Sequence, residues 1–124
     1  LIQANRGYSI SASRKKFESM EPYRPDFIIA NCPGCAMFMD RWQYTLKELD
    51  GITYGSNETG IPALTYEEMA GLILGYDPWE MGMQYHNVQS LGLLKKMGIK
   101  ADPAKRFLTK DGSRLPEPAN LLNS

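Results

Sequence analysis

The chain has 124 residues, of which 43% are hydrophobic, 10% aromatic and 23% charged. This composition is typical of one soluble globular domain and excludes a disordered polymer. Fourteen basic residues balance fourteen acidic residues, so the excess positive charge that attracts phosphate backbones is missing and we expect no nucleic-acid partner. No apolar run approaches the roughly twenty residues that a membrane helix needs, and we expect no membrane span.

The start of the chain and its cysteines indicate where the protein works. The chain begins at Leu1, without a basic segment followed by an apolar one, so we predict a processed or cut end and no secretory signal. The two cysteines, Cys32 and Cys35, are too few for a disulfide scaffold. Their spacing in Cys-Pro-Gly-Cys indicates metal or redox chemistry in a reducing compartment, and we expect a cytoplasmic protein.

The first predicted helix covers residues 11–20. Its N-cap is expected to be Ser11 or Ser13, because a serine hydroxyl can accept a hydrogen bond from a backbone N–H of the first turn. Phe17 and Met20 lie about one helical turn apart and are predicted to form the inward face.

A buried strand and a second helix are predicted to follow. The continuous apolar run at 27–30 predicts a strand buried on both faces, which is typical of a parallel sheet. The helix covers 36–49, so the cysteines lie where a strand becomes a helix. Its apolar face is predicted to consist of Met37, Phe38, Trp42, Leu46 and Leu49.

A second strand and a third helix are predicted in the middle of the chain. The strand covers 61–65, and Pro62 indicates an edge or a bend at its start. The helix covers 66–75, with Thr65 as its N-cap. Its inward residues are predicted to be Met69, Leu72 and Ile73.

The remaining sequence predicts shorter elements. We expect one further turn at 78–81, a short helix over 88–97, and a hairpin over 107–115 around an Asp-Gly pair. The order of elements predicts an α/β fold, specifically a small parallel-sheet, Rossmann-like half-domain with flanking helices and an extended C-terminal tail. We place the domain at 1–100 and the tail at 101–124.

The position of the two cysteines predicts reactive thiols. A thiol at a helix start meets free backbone N–H groups and the positive end of the helix dipole, which lower its pKa. The turn formed by Pro33 and Gly34 lets both sulfurs face one point, as a shared metal or a disulfide requires. The alternative is that Cys32 and Cys35 are two small core residues that happen to be close.

A complete metal site needs about four ligands, so donors beyond the two thiols are required. His86 is the candidate third ligand, although we favour a surface or hydrogen-bonding histidine in a loop. We interpret Asp40, Glu67 and Glu68 as a solvated face or helix-start charges rather than as acid–base groups. The tryptophans and tyrosines are interpreted as core or interface residues.

Three ordered segments, which together span about Ser11 to His86, carry a family resemblance. They are NCPGCAMFMD at 31–40, GIPAL at 60–64 and AGLILGYDP at 70–78. In these segments the chain resembles the C-terminal part of the heterodisulfide reductase B subunit and the related cysteine-rich CCG-domain proteins. The family motif has one cysteine, an adjacent cysteine pair and, further on, a Cys-x-x-Cys that Cys32 and Cys35 match.

The resemblance implies an iron–sulfur oxidoreductase component that transfers electrons to or from a disulfide or related sulfur substrate. In the family, these cysteines hold a noncubane [4Fe-4S] cluster at which a disulfide is cleaved in two one-electron steps. The resemblance therefore implies that Cys32 and Cys35 are cluster ligands with a catalytic role. The upstream cysteines are absent from this sequence, so we expect a fragment that is an enzyme only when completed. Alone, it should be metal-free, or hold a metal only together with another chain.

Two other functions are compatible with the cysteine pair. Thioredoxin-like oxidoreductases also carry Cys-x-x-Cys at a strand-to-helix junction and a cis proline before a later strand, a role that Pro62 could have. Against this, their usual motif is Cys-Gly-Pro-Cys, and a hairpin rather than a helix follows that strand. A non-catalytic zinc-binding interaction domain, with a site shared at a dimer interface, is the third possibility.

The short sheet and the many methionines predict contacts with other polypeptides. We expect electron-transfer subunits of a heterodisulfide reductase-like complex or, for this chain alone, a homodimer. The side chains expected to face a partner include Met37, Met39, Trp42, Met81 and Met83. The alternative is that the tail folds back over this patch with Phe107, Leu108, Leu115, Leu121 and Leu122.

Overall fold

A computed structural model describes residues 6–56 and 59–118 and has the expected α/β fold. The α-helices and strands, in chain order, are α1 (Arg6–Met20), β1 (Ile28–Ala30), α2 (Pro33–Asp50), β2 (Ala63–Thr65), α3 (Tyr66–Ile73) and α4 (Leu91–Lys96). Short 3-10 turns cover Glu21–Tyr23, Met83–Tyr85 and Pro103–Lys105. The expectations for Leu1, Leu121 and Leu122 concern positions outside the described residues.

The two strands form a parallel sheet, as predicted. Ala30, the last residue of β1, lies opposite Thr65, the last residue of β2. Because parallel strands with aligned ends finish at one edge, α2 and α3 both begin at the carboxyl edge of this sheet. That edge therefore receives the cysteine pair, which follows β1, and the first turn of α3, which follows β2.

Two expectations about the first half of the chain are wrong. Helix α1 begins at Arg6 within the described residues, so Ser11 and Ser13 lie inside it and neither is the N-cap. Phe17 is buried as predicted. The strand β1 is not buried on both faces, because Ile29 is 39% exposed; in a sheet of two short strands, alternate side chains of β1 point to a face that remains open to solvent.

The predicted apolar face of α2 is also largely wrong. Leu46 is buried, but Met37, Phe38 and Leu49 are exposed. The buried face of the helix consists instead of Ala36, Asp40, Gln43 and Leu46. Two polar side chains occupy this face because they bond to backbone groups of other segments, which compensates for their loss of water.

Gln43 joins α2 to the residue that leads into β2. Its Nε2 donates to the carbonyl of Ile61 over 2.7 Å, and its Oε1 accepts from the Ile61 N–H over 2.7 Å. The close approach requires a glycine at the preceding position: Gly60 has φ +122, and a Cβ there would lie 2.8 Å from the Gln43 Oε1. The amide thus satisfies both backbone groups of a fully buried residue.

The core consists of two clusters, and most of the predicted surplus of methionines lies in them. Phe17, Leu46, Tyr54 and Ile61 form the first cluster; Met39 and Trp42 pack against it. The second cluster consists of Leu64, Leu72, Trp79, Met83, Leu93 and Leu94. Met81 packs against the second cluster, and its sulfur occupies the space that a Cβ at Gly71 would need. Of the five side chains expected to face a partner, only Met37 is mostly exposed.

Helix α3 begins as predicted, and its inward face is partly as predicted. Thr65 and Glu68 form a reciprocal capping box, in which the Thr65 hydroxyl accepts from the Glu68 N–H and the Glu68 carboxylate accepts from the Thr65 N–H. Leu72 is buried and Met69 is half-buried, whereas Ile73 is 72% exposed. The prediction that Ile73 faces inward, which rested on its apolar side chain, is therefore wrong.

The described part of the predicted tail packs against the rest of the chain. The Trp79 indole donates to the carbonyl of Asp102 over 3.0 Å, and the Phe107 ring lies edge-on to Tyr85. The predicted hairpin is present as an antiparallel bridge between Leu108 and Arg114. Among the described residues, no helix is both long enough and apolar enough to cross a membrane.

Replacing Gln43 with leucine should destabilise the fold. The substitution preserves an apolar stem but leaves the N–H and C=O of Ile61 buried without partners, so we expect the free energy of unfolding to fall by about 2–4 kcal/mol. Urea denaturation followed by circular dichroism measures the change. Glu48→Leu, at an exposed position of the same helix, is the control and should change stability by less than about 0.5 kcal/mol. A similar small effect for Gln43→Leu would contradict the assigned role.

Candidate functional site

The cysteine pair lies at the junction between β1 and α2. Cys32 has an extended backbone and is the N-cap of the helix, and Cys35 lies in its first turn. Pro33 is suited to the first helical position, since it lacks an N–H and its φ is already fixed near the helical value. Both thiols are free and both residues are exposed. The sequence predicted the strand-to-helix junction, although the helix begins at Pro33, three residues before the predicted start.

The two thiols have opposite pKa shifts. The backbone N–H of Cys35, the Cys35 thiol and the backbone N–H of Gly34 lower the pKa of Cys32, in that order of size. These groups lie at the start of α2. The Cys32 side chain itself makes no capping hydrogen bond. The side-chain hydrogen bond with Cys32 raises the pKa of Cys35 most, and the charge of Cys32 raises it further. The pair therefore loses its first proton from Cys32.

A small groove of about 250 Å³ lies beside Cys35, between α1 and α2. Phe17, Phe38 and Trp42 give it apolar walls, and Lys16 supplies a cation. The charge of Lys16 slightly opposes the raised pKa of Cys35. The thiol is therefore accessible from an apolar surface as well as from solvent.

A buried polar group lies near the same helix and was not predicted. Asp40 accepts hydrogen bonds from the backbone N–H groups of Asn87 and Val88, over 2.6 and 2.7 Å. The Nε2 of His86 lies 2.6 Å from the Glu68 carboxylate, and both side chains are largely buried. Within the described part of the chain, the Nδ1 of His86 has no hydrogen-bond partner. The imidazole therefore makes its polar contact through Nε2, with Glu68.

The pKa values of this group reflect a balance between burial and pairing. Burial lowers the pKa of His86, but the hydrogen bond to Glu68 and the charges of Glu68 and Asp40 raise it, and the net shift is upward. Burial raises the pKa of Glu68, but the contacts with His86 and Thr65 lower it overall. Burial raises the pKa of Asp40 despite its two N–H donors. The shifts thus favour an ion pair between the His86 imidazolium and the Glu68 carboxylate.

The acidic and imidazole side chains differ in how well they match the sequence predictions. Asp40 is not part of a solvated face, because it is buried and bonds to the loop before α4. Glu68 is a helix-start residue, as predicted, and it also pairs with His86. Glu67 is exposed. His86 is a hydrogen-bonding loop histidine, which is the interpretation that the sequence favoured over a metal ligand.

Cys32 and Cys35 supply two thiol donors for a metal. No group of three or more His, Cys, Asp or Glu side chains within 6–56 and 59–118 could hold a metal ion, and the full sequence contains only two cysteines. An iron–sulfur cluster needs more protein ligands than this. Cys32 and Cys35 are suitable for two of its positions, but this chain alone does not fit the complete group.

Two features differ from the thioredoxin-like alternative. The peptide bond between Ile61 and Pro62 is trans, whereas that alternative requires a cis bond. The helix α3, rather than a hairpin, follows β2.

Comparisons with known proteins confirm the resemblance that the sequence motifs indicated. No protein-family model matches the sequence, and no solved structure matches it. The chain is 35% identical over 72 residues to the B subunit of the ferredoxin/F(420)H(2)-dependent CoB-CoM heterodisulfide reductase of Methanosarcina acetivorans. The identity and length are the same for the B subunit of the ferredoxin:CoB-CoM heterodisulfide reductase of Methanosarcina mazei.

A third similar protein matches a longer part of the chain. It is the B subunit of the ferredoxin:CoB-CoM heterodisulfide reductase of Methanosarcina acetivorans, which is 27% identical over 99 residues. The first two matches cover 58% of this chain and 22% of each relative. The third covers 79% of this chain and 30% of the relative. The chain thus resembles the heterodisulfide reductase B subunit, and the matched region spans less than a third of the length of these relatives.

The opposite pKa shifts predict that the two thiols react at different rates. At neutral pH, iodoacetamide should modify Cys32 before Cys35, because the thiolate is the reactive form. Peptide mapping by mass spectrometry after short exposures measures the order. In Cys32→Ser, the Cys35 thiol loses its anionic neighbour and should react faster than it does in the unmodified sequence. Equal rates at both cysteines would contradict the asymmetry.

The pairing of His86 with Glu68 predicts how stability depends on pH. The folded-state pKa of His86 is raised, so its contribution is complete below about pH 6.5 and is lost as the pH rises through that raised value. The pKa of Glu68 is lowered, so its contribution is present above about pH 4.3 and is lost as the pH falls through that lowered value.

His86→Gln should therefore destabilise the protein by about 1–3 kcal/mol near pH 6, where a charged hydrogen bond is lost. The difference from the unmodified protein should shrink as the pH rises above the raised folded-state pKa of His86, because the imidazole is then neutral in both the folded and the unfolded chain. Urea denaturation at a series of pH values measures this. A difference that is the same at every pH would show that His86 acts through packing rather than through its charge.

Proposed function

We propose that this chain is part of an iron–sulfur oxidoreductase component like the heterodisulfide reductase B subunit, serving electron transfer to or from a disulfide or related sulfur substrate. The supporting observation is the placement of Cys32 and Cys35, both exposed and at a strand-to-helix junction, in a chain similar to that subunit. In this proposal the two thiolates are ligands of the iron–sulfur centre and belong to its catalytic site.

We infer that the remaining thiolates come from outside this sequence. The chain has two cysteines, and the matched region makes up only 22–30% of the length of the similar proteins. Residues 1–100 would then be the C-terminal portion of a CCG-type domain, followed by a tail over 101–124. A cytoplasmic location agrees with the reduced thiols that such a centre requires.

The proposed partners are the other electron-transfer subunits of such a complex. Met37 and Phe38, on the first turns of α2, are 55% and 42% exposed, and Ile29 on β1 is 39% exposed. Apolar side chains beside a two-thiol site suit a contact surface, because a second polypeptide would cover them while it supplied further ligands. For the isolated chain, a second copy is the partner to test first, since it could bring two more thiolates.

Anaerobic reconstitution with iron and sulfide tests the ligand assignment. The chain alone should bind no [4Fe-4S] cluster as a monomer, whereas added 2-mercaptoethanol, as a source of outside thiolates, should permit bound iron and sulfide in a defined ratio. Cys32→Ser and Cys35→Ser should each abolish this binding. Ser13→Ala, which alters the groove beside Cys35 without removing a thiol, is the matched control and should bind iron normally.

Light scattering during reconstitution identifies the source of the other ligands. A cluster-bearing dimer with four cysteines would support completion by a second copy. A [4Fe-4S] cluster on a monomer without added thiol, or unchanged iron content in both serine variants, would refute the assignment.

A further inference from the structure

An open cleft of about 850 Å³ lies on a part of the molecule that the proposed function does not use. Its apolar surface comes from Trp79, Leu91, Leu94 and Ile99, and its polar surface from lysines and aspartates. None of its lining residues lines the groove beside Cys35. The cleft is therefore a separate surface feature of the fold.

The cleft is preformed. Leu94 is 1% exposed and Trp79 is 9% exposed, so its floor is continuous with the second core cluster. The indole N–H of Trp79 donates to the carbonyl of Asp102, which ties the floor to the segment on the other side. An occupant would therefore meet a fixed apolar surface and would not need to order it first.

Three lysines in the cleft lining differ from other lysines nearby. Lys95, Lys100 and Lys105 make no ion pair within the described part of the chain. By contrast, Lys96 pairs with Asp26, and Lys110 pairs with Glu80. The dipole of α4 accounts for a cation at Lys95 in its last turn, but not for the two lysines that follow the helix.

The two carboxylates of the cleft are engaged locally. Asp77 accepts from the backbone N–H of Trp79, and Asp102 caps a 3-10 turn by accepting from the Ala104 N–H. Each carboxylate thus has a structural role in its own turn. The three lysine ammonium groups outnumber the two carboxylates, and the cleft carries a net positive charge.

We propose that this cleft binds an acidic, amphipathic segment of another polypeptide. An apolar floor with a basic lining is complementary to a segment that presents leucine or aromatic side chains flanked by aspartate or glutamate. The cleft is open, which suits a segment lying across it better than a small molecule enclosed in it. The proposal is independent of the cysteine pair, so each can fail without the other.

Trp79 reports directly on binding. The chain has two tryptophans, and Trp42→Phe leaves Trp79 as the single indole. The probe is a synthetic peptide of about 15 residues with leucines at helical spacing on one face and glutamates beside them. Titration should shift the Trp79 emission and saturate, and raising the salt concentration from about 0.05 to 0.5 M should weaken binding several-fold.

Charge reversal in this background tests the role of the lysines. Lys95→Glu combined with Lys100→Glu should weaken peptide binding at least tenfold. The matched control is Lys15→Glu combined with Arg41→Glu, which reverses two charges on α1 and α2 and should change binding less than twofold. Circular dichroism and thermal unfolding establish that both double variants are folded; if the first is not, the single variant Lys100→Glu replaces it and should weaken binding at least threefold.

Three outcomes would overturn the proposal. The first is an emission of Trp79 that the acidic peptide leaves unchanged. The second is equal binding of the same peptide with lysines in place of its glutamates, or equal weakening by the control pair. The third is binding of phosphatidylserine vesicles without binding of the peptide, which would assign the cleft to a membrane surface instead.

Discussion

The hydrogen bonds that α2 makes through its buried polar side chains hold this fold together. Two three-residue strands form too few ladder bonds to be stable by themselves. Gln43 supplies the missing connection by bonding both backbone groups of Ile61, just before β2. Asp40 bonds two backbone N–H groups of the loop before α4. Each of these hydrogen bonds satisfies buried polar groups in two segments at once. The position of α2 therefore depends on these two side chains, and so does the position of Cys35 in its first turn.

Two sets of charges act at the carboxyl edge of the sheet, and they have different origins. Groups within the same helical turn lower the pKa of Cys32, chiefly the backbone N–H of Cys35. The paired His86 and Glu68 instead join segments that are distant in sequence. A change that disrupts the pair of His86 and Glu68 should loosen the loop around His86. It should leave the pKa of Cys32 nearly unchanged, because the groups that lower this pKa lie in the first turn of α2.

The sequence predicted the features that depend only on residues close together in the chain. The strands predicted at 27–30 and 61–65, and the N-cap predicted at Thr65, need only neighbouring residues, and the structure contains them as Ile28–Ala30, Ala63–Thr65 and the Thr65 cap. The burial of Asp40 was missed because its donors, the N–H groups of Asn87 and Val88, lie 47 and 48 residues later. No spacing rule within α2 distinguishes that carboxylate from a solvated one. The apolar face of α2 was wrong for the same reason, since buried polar contacts fix its rotation.

The opposite pKa shifts of the two thiols limit what the pair can do alone. Cys32 loses a proton readily, but the resulting negative charge then raises the pKa of Cys35. In the isolated pair, loss of the proton from Cys32 therefore opposes loss of the proton from Cys35. A bound cation reverses the second shift, because its charge outweighs the repulsion between two thiolates. Under the proposed ligand role, deprotonation of Cys35 and metal binding would therefore be linked, because a bound cation favours ionisation of both thiols.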